Sequence, residues 1–145
     1  MAITSAICNS FKQEILEAEH NFTASTGNTF NLALYDSDAT LGAGTTAYTT
    51  SEEITNTSGT AYSAKGKALT SVTPTLDSST AVCDFADVSW TSASFTARGC
   101  LIYNSTNSNK AVCAINFGAD KTVTTGTFTI QFPAQTAGNA IIQIA

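Results

Sequence analysis

A chain of 145 residues with a formal net charge of −5 matches one ordinary domain, long enough to bury a core without metal or disulfides to hold it together. Its six lysines and arginines are scattered, which argues against nucleic-acid binding, and no apolar run is long enough to cross a bilayer as a helix. Charged residues make up 12% of the chain, about half the usual share of roughly 25%, and Thr, Ser, Asn and Gln fill the gap, giving a neutral polar surface that suits strands and resists self-association only weakly.

Met1 to Ile7 has neither a basic n-region nor a long apolar h-region, so the chain is expected to be made without export. The next segment, SAICNSFKQEILEAEHNF, is the best helix candidate, and a helix over about 5–19 is predicted. Ile7, Phe11 and Ile15 recur every fourth residue, Leu16 widens the stripe, and Ser5 or Asn9 is placed to cap the start. A helix this short is marginal alone, so its stripe needs a partner in the sheet or in another subunit. His20, beside Glu17 and Glu19, reads as a solvated helix end.

After the turn-like TASTGN, the alternation in TFNLALY predicts a strand with Phe30, Leu32 and Leu34 on one face. The long Gly, Thr, Ser and Asp-rich segment from Asp36 to Thr60 has little periodicity, and loops of this length are usually functional or mobile, so it is the expected contact loop. Within it, Gly42, Gly44 and Ala47 match G-x-G-x-x-A, but no helical pattern follows to make a dinucleotide fingerprint. Asp36, Ser37 and Asp38 read as a turn, since the segment lacks the glycine and closing glutamate of a calcium loop. AYSAKGKAL reads as an edge strand presenting Lys65 and Lys67 on one face, where charge discourages indiscriminate pairing.

The stretch from Thr80 to Gly118 is the densest in apolar residues and reads as three strands. Cys83 and Phe85 share a face, whereas Val88 and Trp90 join them only after a one-residue slip, which predicts a bulge near Asp87. Phe95, Ala97, Gly99, Leu101 and Tyr103 alternate with Ser94, Thr96 and Arg98, NSTNSNK forms a polar hairpin loop, and AVCAINFG returns as a central strand. GTFTIQFP, stopped by Pro133, and AIIQIA complete about seven strands. The predicted architecture is mainly β: an antiparallel β-sandwich with one short N-terminal helix.

Candidate chemistry is sparse. Cys8, Cys83, Cys100 and Cys113 lack CxxC spacing, and only His20 is available to join them, so no metal site is expected. The cysteines read as small apolar residues, with a Cys83–Cys100 or Cys100–Cys113 bridge as the alternative. No GxSxG elbow accompanies His20, and Asp84 and Asp87 differ in parity, so no catalytic residue and no cofactor are predicted. Asn21, Asn56 and Asn104 begin glycosylation sequons of the kind that an Asn, Ser and Thr-rich chain produces by chance.

Four blocks in order, FKQEILEAEHNF, FNLALYDSDATLGAGTTAYTTSEE, VCDFADVSWTSASFTARGCLIYNST and KAVCAINFGADKTVTTGTFTIQFP, resemble a family of small virion proteins of tailed bacteriophages. The most specific parts are ALYDSDATLGAGTTAY, DFADVSW, ARGCLIYN and INFGADKT. The departures are Cys83, Cys100 and Cys113 at alanine-type positions, and TNTSGT in place of a glycine-rich approach to AYSAKGKAL. The resemblance implies a non-enzymatic virion structural protein, first of all a capsid decoration or cement protein on the capsid exterior, made in the host bacterial cytoplasm. Its expected partners are the phage major capsid protein and further copies of itself, as a trimer at a three-fold position. The expected contacts are Phe11, Ile15 and Leu16 of the helix, Asp36, Asp38, Leu41 and Tyr48 of the loop, and the edge residues Lys65 and Lys67. A tail, neck or fibre component is the alternative, and a carbohydrate-binding module would need Trp90 or Tyr103 exposed.

Overall fold

The computed structural model describes residues 2–54 and 61–145, so TNTSGT and the Asn56 sequon lie outside the described residues. Within them the chain runs β1 (Ala6–Ile7), α1 (Asn9–Leu16), β2 (Phe30–Tyr35), β3 (Lys67–Ala68), β4 (Ser71–Asp77), β5 (Thr80–Phe85), β6 (Val88–Asn104), β7 (Lys110–Ile130) and β8 (Ile142–Ile144). Two antiparallel sheets result, one ordered β1-β7-β6-β2-β3 and the other β4-β5-β8. The mainly β sandwich with one short helix is therefore the fold.

The frame is a long hairpin. β6 and β7 pair from Val88↔Ile130 to Asn104↔Lys110, closed by the polar turn over Ser105 to Asn109. The exposed face of this ribbon is laced by hydroxyl pairs, Ser89 with Thr129 and Thr96 with Thr122, each at 2.8 Å, and by Arg98 on Asp120 at 2.7 Å. Such cross-strand pairs are the local unit of sheet stability, and they explain how a Thr-rich sequence holds a ribbon this long. The two strands expected at AVCAINFG and GTFTIQFP are one, because GADKTVTT pairs with the outer half of β6 instead of forming a turn.

Between the sheets lies an aromatic core. Phe22 and Phe30 stack at 4.2 Å between ring centroids, and Phe85 of the small sheet meets Phe30 of the large one at 5.9 Å. Trp90 is buried, meeting Tyr62 and Phe128, as its place in a strand predicts. Each fully buried aromatic contributes about 2–3 kcal/mol by removal from water.

Several expectations are corrected. The helix covers Asn9–Leu16, not 5–19: Ala6 and Ile7 are drawn into a strand by Ala114 and Cys113, and Ala18 at φ 61° ends the helical path. Neither Ser5 nor Asn9 caps it. Cys8 occupies the N-cap without a side-chain bond, while the Ser5 hydroxyl accepts the Asn116 amide at 2.9 Å. The parity change near Asp87 is not a bulge but a change of sheet, since β5 ends at Phe85 in the small sheet and β6 starts at Val88 in the large one. The ribbon's own register shifts lie further on, between Trp90 and Ala93, Ala93 and Phe95, Ala97 and Gly99, and Ile102 and Tyr103.

AYSAKGKAL does reach a sheet edge, but only Lys67 and Ala68 pair, with Leu32 and Asn31 of β2. β4 had no counterpart in the sequence reading because Pro74 and the exposed Leu76 break its pattern, and its ladder to β5 shifts register between Val72 and Thr75. The cysteines are four free, buried thiols. Desolvation raises Cys83 and Cys113 to about 12 and Cys8 to about 11, so these thiols stay protonated and inert at neutral pH.

Candidate interaction surfaces

The expected contact residues do not form one surface. Phe11 and Leu41 are core residues: Phe11 packs against His20 and Phe22, and Leu41 is held by a bridge to Ile3. Tyr48 is half-buried, its ring 4.9 Å from Tyr103 and its hydroxyl donating to Glu53 at 2.5 Å. Lys65 and Lys67 do not share a strand face, because Lys65 lies in a turn at φ 75°. The Lys67 ammonium is used inside the chain, donating to the Ser89 carbonyl and sitting 5.5 Å over the Trp90 ring. Ile15 and Leu16 remain: Ile15 is half-buried and Leu16 is 88% exposed.

His20, expected in solvent, is buried. Its Nε2 lies 2.8 Å from Glu14 and its Nδ1 3.1 Å from the amide nitrogen of Asn104. That amide also donates to Asn28 at 2.9 Å, so Nδ1 is the acceptor and Nε2 carries the proton toward Glu14. The Asn104 carbonyl oxygen accepts the Thr106 and Asn107 amides, which ties the β6–β7 turn to the helix end. The group is a structural clasp without a nucleophile. Asn104, fully buried, is also no accessible glycosylation acceptor.

Asp36, Asp38 and Glu52 bring carboxylate oxygens within 4.8 Å of one another, the donor type a hard cation takes. The cluster is largely exposed, and Asp36 already accepts the Asp38 amide at 2.9 Å in the turn read from the sequence. Trp90 and Tyr103 are both buried, and the Tyr103 hydroxyl donates to the Lys65 carbonyl, so neither ring is presented to a sugar.

Two surfaces were not legible as such in the sequence. The first lies where the small sheet overhangs the core. Leu76, Ala81 and Ile144 are cross-strand neighbours on β4, β5 and β8 and therefore share one face. Further along this face Cys83, Phe85 and Ile142 are buried, whereas Leu76 is 74% and Ile144 57% exposed. Ile15 of α1 lines a narrow groove with Ala81 and Ile144, and Leu16 follows it at the helix end. The large apolar side chains exposed among the described residues, Leu16, Leu76 and Ile144, thus come from α1 and the small sheet.

The second surface is a groove of about 610 Å³ along β7, lined by Ile115, Phe117, Val123, Phe128, Phe132 and Ile141. Val123 lies across from Phe95 and Phe128 across from Trp90, and an extra residue between Val123 and Gly126, with Thr125 at φ 44°, switches the parity of β7 between them. Phe117 stands in a longer irregularity between Asn116 and Lys121, with its ring 6.3 Å from Phe128.

Comparison of the chain with protein-family models, with curated proteins and with solved structures finds no match.

Proposed function

We propose that this is a non-enzymatic virion structural protein of a tailed bacteriophage, a decoration protein that binds the outer capsid where subunits meet. The observation that carries the reading is the apolar overhang of Leu76, Ala81 and Ile144 beside Ile15, with Leu16 exposed at the end of the same helix, on a sandwich whose remaining surface is mostly uncharged. A solvated monomer gains nothing from holding Leu16 and Leu76 in water, whereas a subunit seated on a partner buries them. The resemblance of the sequence blocks to small phage virion proteins supplies the context. The partners in this reading are the major capsid protein and symmetry-related copies of the chain, with a trimer suiting a three-fold position. Many weak seats add up across a shell, so each copy needs only modest affinity.

Quantitative gel analysis of purified particles is the direct test, with hundreds of copies per particle expected. A handful of copies would match a tail, neck or fibre component and defeat the capsid assignment. Leu16→Asp and Leu76→Asp change exposed positions, so each is expected to alter unfolding free energy by no more than about 0.5 kcal/mol. Together they are expected to lower copies per particle by about tenfold or more, since each deletes an apolar contact of roughly 1.5–3 kcal/mol. Undiminished incorporation of the double variant would remove the overhang from the interface.

A further inference from the structure

We infer that the groove along β7 is a docking site for an extended strand of another polypeptide, one that alternates apolar side chains and places a carboxylate opposite Lys121. The inference stands on the groove and does not depend on the capsid reading.

Three features converge. The first is backbone. Among the described residues, β1 pairs with β7 only at Cys113 and Ala114, and beyond Phe117 no strand lies on the side of β7 away from β6. Regular ladder geometry persists there over Lys121–Val123 and Phe128–Ile130, so N–H and C=O groups are spaced for an added strand. The second is side-chain shape. The parity switch at Thr125 puts Val123 on the same side as Phe128, and the Phe117 ring lies 6.3 Å from Phe128, giving an apolar wall against which an alternating strand sets every second side chain.

The third is charge. Lys121 lies directly across from Ala97 on the groove-facing side of the ribbon and lines the groove. Asp120 beside it is held by Arg98, and Lys121 has no ion-pair partner among the described residues. A lone lysine and bulges are devices that keep an edge from pairing indiscriminately. Here they also select: a neutral edge leaves the ammonium uncompensated, a second β7 edge brings another lysine, and an acidic strand neutralises it. A long-chain carboxylate would satisfy the wall and the lysine but leave the open edge of β7 unused, which favours polypeptide.

The test uses the intact protein and synthetic peptides. A peptide of sequence VTDTVTFTV, its charge-reversed twin VTKTVTFTV and an N-methylated form of the first are titrated by fluorescence anisotropy. The acidic peptide is expected to bind about fivefold tighter than its twin, as an exposed attractive pair exchanged for a repulsive one requires. Lys121→Glu, an exposed change, is expected to reverse that order. N-methylation is expected to abolish binding by removing main-chain donors, and Val123→Asp to abolish it by placing a charge in the apolar wall. Equal affinity for the two charged peptides, full binding by the N-methylated one, or tight binding of decanoate with none of the peptides would each overturn the inference. Because no particle enters the assay, its failure and that of the capsid reading are separate results.

Discussion

Glu53→Ala is expected to cost the fold about 3–5 kcal/mol, since each buried donor left without an acceptor costs about 1–3 kcal/mol. Glu53 is 7% exposed and its carboxylate takes three bonds: the Tyr48 hydroxyl at 2.5 Å, and the Tyr62 hydroxyl and Lys65 amide at 2.7 Å each. The same Tyr62 hydroxyl accepts the Leu34 amide at 2.9 Å, so the cluster fastens the loop before Glu53 and the turn at Lys65 onto the centre of β2. Alanine leaves buried donors without an acceptor. Glu53→Gln keeps one oxygen for Tyr62 and Lys65, and the Tyr48 hydroxyl can rotate to accept from the new amide, so a smaller loss of about 1–2 kcal/mol is expected. Urea unfolding of the two variants checks the ranking, and a loss below about 1 kcal/mol for alanine would show that the cluster is not a fastening.

The same cluster sets the alkaline limit. Burial first, and then the Glu53 carboxylate, push Tyr62 and Tyr48 well above the ordinary tyrosine value, and burial does the same to Tyr35. With folded pKa values above the unfolded one, the stabilisation from these protonated hydroxyls is whole below the unfolded value of about 10 and is lost as pH rises beyond it, because the unfolded chain then holds fewer protons. Urea midpoints are expected to be flat across neutral pH with respect to these groups and to fall above about pH 10. Absorbance of tyrosinate at 295 nm is expected to appear with unfolding. Early, independent ionisation of all four tyrosines in the folded protein would contradict the burial of the cluster.

What the sequence disclosed and what it withheld divide along the range of the interactions. Phe30 to Tyr35 was readable because its alternation is local, and Trp90 was readable as core because a lone strand tryptophan among apolar neighbours has few other uses. Ile7 shares a four-residue period with Phe11 and Ile15, yet it pairs as a strand with Cys113, more than a hundred residues away, and no local pattern carries that. His20 sits among glutamates and looked solvated, but Asn104 and the Phe11, Phe22 and Phe30 rings close over it. The contact surfaces were hidden for the same reason. Leu76, Ala81 and Ile144 become neighbours only through the register of three strands, and the wall of the β7 groove depends on an extra residue that flips side-chain parity. Of the expected contacts, Ile15 borders the overhang and Leu16 stays exposed at the helix end, whereas Phe11 and Leu41 were claimed by the core.

Gly66→Ala is expected to rival Glu53→Ala, with a loss of about 3–5 kcal/mol, because two penalties fall on one methyl group. Gly66 has φ 73°, in the left-handed region, and an added Cβ would stand 1.8 Å from the Leu32 carbonyl oxygen and 2.7 Å from the Ala33 Cα. Neither neighbour has room to retreat. Leu32 and Ala33 are fully buried, and on their other side β2 is bonded to Ile102 and Leu101 of β6. Relief therefore requires the segment around Gly66 to lift, which would take Lys67 off Trp90 and the Lys65 carbonyl off Tyr103. Gly118→Ala separates the two penalties. Gly118 has φ 82° with nothing within 4 Å of its Cβ position, so it is expected to lose only the conformational part, about 1 kcal/mol. Equal losses in urea unfolding would assign the whole effect to backbone conformation. A Gly66→Ala loss several times larger, accompanied by a red shift of Trp90 emission, would place it in the contact with β2, where the edge turn seals the core.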